Sequence, residues 1–162
     1  MLDPVRERNP FINSPTGGRV LSALQLPLFL LRAPPGYGVL TTTGRRSGKR
    51  RSRCVRAIRR GDRAYVVAIK GKGGLTGWAR NALANDEVRL RTREGDFRGR
   101  ARRLEPRERQ DARDAYCEDL GRFEYLEYRN WRRGRPTEAK IRELHRLWFE
   151  QGTPLVIELE AR

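Results

Sequence analysis

The sequence predicts an α+β domain: a small barrel of about six, mostly antiparallel strands with helices around it. Three observations predict it. Strand-like runs recur at 37–43, 50–59, 63–69, 87–93 and 97–105, the second and last of them interleaved with arginine. Gly61-Asp62 and Gly95-Asp96 are turn signals between consecutive runs. Between the third and fourth runs Leu75, Trp78, Ala82 and Leu83 fall near a 3.6 period, a short helix inserted between two strand pairs.

The remaining elements follow in order. Residues 1–18 are rich in Pro, Asn and Gly and read as an irregular arm. Residues 19–32 read as a helix whose apolar positions, Val20, Leu21, Leu24, Leu28 and Leu31, are widened by Leu26, Phe29 and Leu30, so that it needs cover from the barrel or from a membrane surface. Pro34, Pro35 and Gly36 stop it. The chain then divides into an arm and apolar helix, 1–36, and a barrel over 37–162, within one domain overall. Pro106 opens an amphipathic helix that Gly121 ends, and Phe123, Tyr125, Leu126, Tyr128 and Trp131 mark a second aromatic stretch. Thr137 caps a further helix, with Ile141, Leu144, His145 and Trp148 at i, i+3, i+4 and i+7. Residues 155–159 form a closing strand paired inside the barrel.

Charge and cysteine usage bound the function. Lys and Arg number 36 against 20 Asp and Glu, a formal +16 that attracts polyanions at low salt. Cys54 and Cys117 have neither a disulfide framework nor metal-ligand spacing, which points to a reduced, cytoplasmic protein and to no metal. The residues before Pro10 lack the pattern of a secretory signal. The apolar stretch 20–31 is shorter than the ~20 residues that span a bilayer, leaving at most a peripheral contact with the inner face of the cell membrane. His145, the one histidine, has no partner set and reads as structural.

The densest functional signal is the stretch Leu40 to Ser52. Thr41, Thr42 and Thr43 favour extended backbone, Gly44 and Gly48 permit positive φ, and Arg45, Arg46, Lys49, Arg50 and Arg51 crowd donors around the turn. Exposed turn amides and Arg forks suit phosphate or carboxylate oxygens; a solvated basic hairpin is the plain alternative.

With two later motifs, this stretch resembles the deazaflavin-dependent nitroreductase family, split β-barrel proteins that bind coenzyme F420. The matching residues are Thr42-Thr43-Gly44-Arg45-Arg46-Ser47-Gly48 with Arg51, Lys70-Gly71-Lys72-Gly73-Gly74 with Trp78, Asn81 and Ala84-Asn85, and Tyr125-Leu126-Glu127-Tyr128 with Trp131. The resemblance implies an F420H2-dependent reductase that passes a hydride to a quinone, a nitroaromatic or a similar electron-poor small molecule, with FMN as the alternative cofactor. It implies that Arg45, Arg46, Ser47 and Arg51 hold the phosphate and tail carboxylates, with Thr43, Gly44 and Arg53 in the same cofactor-binding set. Ile69, Lys70, Gly71, Lys72, Trp78 and Asn81 would border the ring, Asn81 bonding a ring substituent or bracing the loop. Arg53 stands where relatives often carry a smaller polar residue, and Arg50 where proline is common. Tyr125 and Tyr128, three apart on a helix, would face one pocket as catalytic and substrate-binding phenols, with Trp131 continuing the stripe; an aromatic core face is the other reading of that spacing.

Two further functions stay open on the sequence. One is a protein that binds or sequesters the deazaflavin with little turnover. The other is a basic nucleic-acid-binding barrel, although no strand carries the interleaved aromatics that base stacking uses, so no specific nucleic acid is expected. The chain would act as a monomer or a homodimer.

Overall fold

The computed structural model describes residues 15–69, 75–132 and 134–161. Its strands are β1 (Tyr37–Thr43), β2 (Arg50–Arg56), β3 (Ile58–Arg60), β4 (Arg63–Ala68), β5 (Glu87–Thr92), β6 (Gly95–Arg103) and β7 (Thr153–Leu159). They form one antiparallel sheet in the order β2-β1-β5-β6-β7-β4-β3. The two marginal strands, β2 and β3, are consecutive in the chain and separated by Ala57 alone. The sheet therefore curls until its margins meet, and β2 comes alongside β4.

Seven strands replace the expected six because the run 50–59 does not stay on one partner. Tyr37 pairs with Arg56, then Ala57 N–H donates to Gly36 O at 2.9 Å, and Ile58 begins a new ladder opposite Tyr65. The closing strand lies inside the sheet as expected, between β6 and β4.

The interior follows the period of two. β5 alternates outward charge with inward Val88 and Leu90, which meet Leu40, Val55, Val66, Leu155 and Ile157. Helix α2 (Gly77–Ala84) plugs this interior with Ala79 and Ala82, both fully buried. Gly99 lets β6 and β7 come close within the sheet, since a Cβ there would run into the Glu158 carbonyl. Outside the sheet, α3 (Arg109–Glu118) and α5 (Glu138–Gln151) cover Ile58, Tyr65, Val67 and Val156 with Tyr116 and Phe149. Thr137 caps α5 as its sequence predicts, accepting from Lys140 N–H at 3.3 Å.

The N-terminal helix α1 runs Pro15–Arg32, four residues longer at its start than the apolar pattern indicates, and carries Pro27 inside it. Its Phe29 packs edge-on against Tyr37 of β1 and Phe123 of α4 (Arg122–Trp131). Leu24, Leu28 and Leu31 on its other side are 68, 65 and 83 % exposed. No helix among the described residues is long and apolar enough to cross a membrane.

Candidate functional site

The basic turn joins β1 to β2 at the sheet margin. Gly44 N–H donates to Lys49 O and Gly48 N–H to Gly44 O, both at 2.8 Å, and Gly48 takes φ +64°. Lys49 N–H donates to Ser47 Oγ at 3.3 Å, and Arg45 N–H to Asn81 Oδ1 at 3.2 Å. The amides of Gly44, Arg45, Gly48 and Lys49 are thus spent within the fold. The side chains of Arg45, Arg46, Ser47, Lys49 and Arg51 stay exposed. The corner therefore presents a cluster of exposed cationic side chains.

Asn81 does bracing work. Its Oδ1 also accepts from Arg45 Nη1 at 3.4 Å, and Asn85 Nδ2 donates to Thr43 O at 3.4 Å, so two amides of the α2 end hold the turn. Of the two roles the family resemblance leaves to Asn81, this is the one the geometry contains. Gly44 is buried where a Cβ would sit 2.7 Å from Ser47 Oγ.

Register then sorts the arginines of β2. Arg51 stands opposite Thr42 and Arg53 opposite Leu40, on the sheet face that α2 covers, yet both side chains remain exposed beyond it. Cys54 and Arg56 point the other way, opposite Val39 and Tyr37.

A cavity of ≈ 230 Å³ opens where β2 and β4 splay. Trp78 and Ile69, two of the expected ring-bordering residues, line it together with Cys54, Val55, Val67 and Thr76. Thr76 Oγ1 is buried on this wall and has no hydrogen-bond partner among the described residues. Burial raises the Cys54 thiol to about 11, so it is no thiolate nucleophile near neutrality. Lys70, Gly71 and Lys72 lie outside the described residues.

The far wall holds a polar network. Arg56 is 6 % exposed; its Nη1 donates to Glu124 Oε1 at 2.6 Å, and Nη2 donates to the carbonyls of Tyr116 (2.8 Å) and Asp119 (2.6 Å). Its guanidinium also lies over the Tyr37 and Tyr116 rings. Glu124 accepts the Gly121 N–H at 2.8 Å, completing the start of α4. One turn on, Glu127 Oε2 accepts the Tyr37 O–H at 2.8 Å. Burial first, and then Glu127, raise the Tyr37 phenol well above its ordinary range; burial and the Glu124 charge raise the Glu127 carboxyl.

The expectation that Tyr125 and Tyr128 face a shared pocket needs correcting in its geometry. Tyr128 is 4 % exposed and clusters with Ile141 and Leu144 of α5, with Tyr125 packed against the same group. The face of α4 that reaches the cavity carries Glu127 instead. The wall residues Glu127, Arg56, Tyr37 and Trp148 were not candidates on sequence grounds; the acidic pair Glu124 and Glu127, three apart in an aromatic stretch, is the signal that could have found them. His145 is buried against Tyr116 and Trp148, and burial holds it down to about 2, a neutral core imidazole. No cluster that could hold a metal ion occurs among the described residues.

Comparison with known proteins supplies the family. A family model described as F420H(2)-dependent quinone reductase matches residues 27–136. A solved F420-H2 dependent reductase, FDR-A, is similar at 23 % identity and TM-score 0.53, covering 78 % of this chain and 95 % of its own. A structure described as a domain-swapped dimer is similar at 22 % identity and TM-score 0.54, covering 90 % and 100 %. These likenesses identify the sheet as a split barrel. No curated protein matches the chain.

Proposed function

The chain belongs to the F420H2-dependent quinone reductase family, and from that premise we propose that this F420-dependent reductase delivers its hydride to a quinone in the cavity beside Trp78. The observation that supports the reading is that one strand, β2, carries both halves of a cofactor site. Exposed Arg51 lies near its start, beside the Arg45–Arg46 turn, and Cys54 and Val55 line the cavity. Four residues of strand separate Arg51 from Val55, which shares its face, about 13 Å. That span suits a flat ring bound at one end and an acidic tail gripped at the other, and the orphaned Thr76 hydroxyl offers the ring edge a hydrogen bond. The residues present fit F420.

When bound, reduced F420 supplies the hydride. The protein supplies the rest. Arg45, Arg46 and Arg51 hold the tail phosphate and carboxylates, each charge-assisted bond contributing roughly 1.5–3 kcal/mol. Asn81 keeps the turn from opening. Trp78, Ile69, Val55 and Val67 exclude water around the reacting edge.

A fluorescence titration with F420 beside FMN tests the cofactor site. Turnover with a soluble quinone beside a nitroaromatic tests the acceptor, and preference for the nitroaromatic overturns the quinone assignment. The exposed Leu24, Leu28 and Leu31 favour a peripheral contact of α1 with an anionic bilayer, where lipid-borne quinones reside. Co-sedimentation with anionic vesicles, lost on Leu28→Glu, supports that contact; a homodimer in sedimentation that buries this face replaces it.

A further inference from the structure

We propose that Glu127 is the proton donor of the reaction, a carboxylic acid on the cavity wall that protonates the acceptor oxygen once hydride has arrived. The inference rests on the acceptor occupying the cavity beside Trp78. Its basis is how the wall distributes its charges. Two acids, Glu124 and Glu127, lie one helical turn apart near one buried cation, Arg56. Arg56 is committed to Glu124: their side chains are 3 % and 2 % exposed and meet at 2.6 Å, and the second guanidinium nitrogen is occupied by the Tyr116 and Asp119 carbonyls. Among the described residues Glu127 forms no ion pair, and it sits on the cavity wall with one oxygen engaged by the Tyr37 hydroxyl.

With Arg56 taken by Glu124, the half-buried Glu127 is the member of the acidic pair whose surroundings favour the protonated form. The groups that act on Glu127 are Tyr37 from β1, Arg56 from β2, Glu124 from its own helix and Arg132 just beyond it. Burial and Glu124 favour the acid form, while the Tyr37 bond, Arg56 and Arg132 oppose it, with the net direction upward. Arg132 also lies over the Trp148 ring, its guanidinium carbon 5.9 Å from the ring centroid.

The step balances without another reagent. Hydride addition reduces the quinone to a hydroquinone monoanion; the Glu127 O–H bond breaks, its proton bonds to the oxyanion, and the carboxylate left behind takes a proton from solvent. Tyr37 has the complementary task, its phenol held in the protonated form and its O–H ready to steady the carboxylate. It is a positioning residue.

The test pairs a spectroscopic with a kinetic readout. In cofactor-free protein labelled with ¹³C at the glutamate carboxyl, one resonance is expected to titrate above the others and to vanish in Glu127→Gln. Tyr37→Phe, which removes a bond to the carboxylate, is expected to move that titration higher still. With F420 and a quinone, Glu127→Gln is expected to lower kcat by ~10²–10⁴-fold with KM little changed. A Glu127 that titrates with the exposed carboxyls, or unchanged kcat in Glu127→Gln, overturns the proposal. Should Glu127→Gln not fold, the direction of the Tyr37→Phe shift decides it. Failure of wild-type protein to bind F420 would count against the cofactor site; normal binding with an unperturbed Glu127 counts against the proton donor only.

Discussion

Arg51 and Arg56 come from one basic run, five residues apart on the same strand, and they have opposite fates. Arg51 is exposed at the turn; Arg56 is buried, paired with Glu124 and wedged between two tyrosine rings. The difference is where β2 runs. Its start lies at the open corner of the sheet, whereas its end passes beneath the α3–α4 junction, whose carbonyls and carboxylate would be unpaired without a cation. An arginine's role is set by what the partner element leaves unsatisfied.

Breaking the buried member should have the largest effect. Arg56→Ala strands the Glu124 charge, and urea unfolding is expected to show a loss of about 3–5 kcal/mol. Arg51→Ala should sharpen the contrast: stability within about 0.5 kcal/mol of wild type, and F420 affinity lower by roughly 10–100-fold in a fluorescence titration.

A pH series separates the two regions again. His145 stays neutral in the fold down to about 2, and burial and Arg56 are the leading causes. The unfolded chain binds a proton below ~6.5 that the native state does not, so stability is full above that pH. It should fall by up to ~1.4 kcal/mol per pH unit on acidification toward 2. His145→Gln should flatten this slope in denaturant midpoints measured between pH 7 and 4, and an unchanged slope would remove His145 from the account. The smallest effect belongs to the turn itself. Gly48→Ala has open space for its methyl group but must hold φ +64°, a cost of about 1 kcal/mol. Asn81→Ala should leave stability near wild type and weaken F420 binding a few-fold.

Much of the fold was legible because it follows periodicity. The alternation of β5, the Thr137 cap and the closing strand needed no tertiary knowledge. The break at Ala57 was not legible: no glycine or proline marks it, and it arises because the chain changes pairing partner between Arg56 and Ile58. Arg56 looked like its solvated neighbours since residue type alone does not report a carboxylate arriving from 68 positions away. On α4 the aromatic spacing was correctly seen as one face, but which face meets α5 and which meets the cavity depends on packing, and that left Glu127 unread while Tyr128 drew attention.

The single-residue link at Ala57 has a mechanical consequence. With its amide tied to Gly36 O, there is no slack between the strand that carries the cationic corner and the hairpin that leads to Ile69. A displacement of β2 is therefore handed on to β3 with no flexible joint to absorb it.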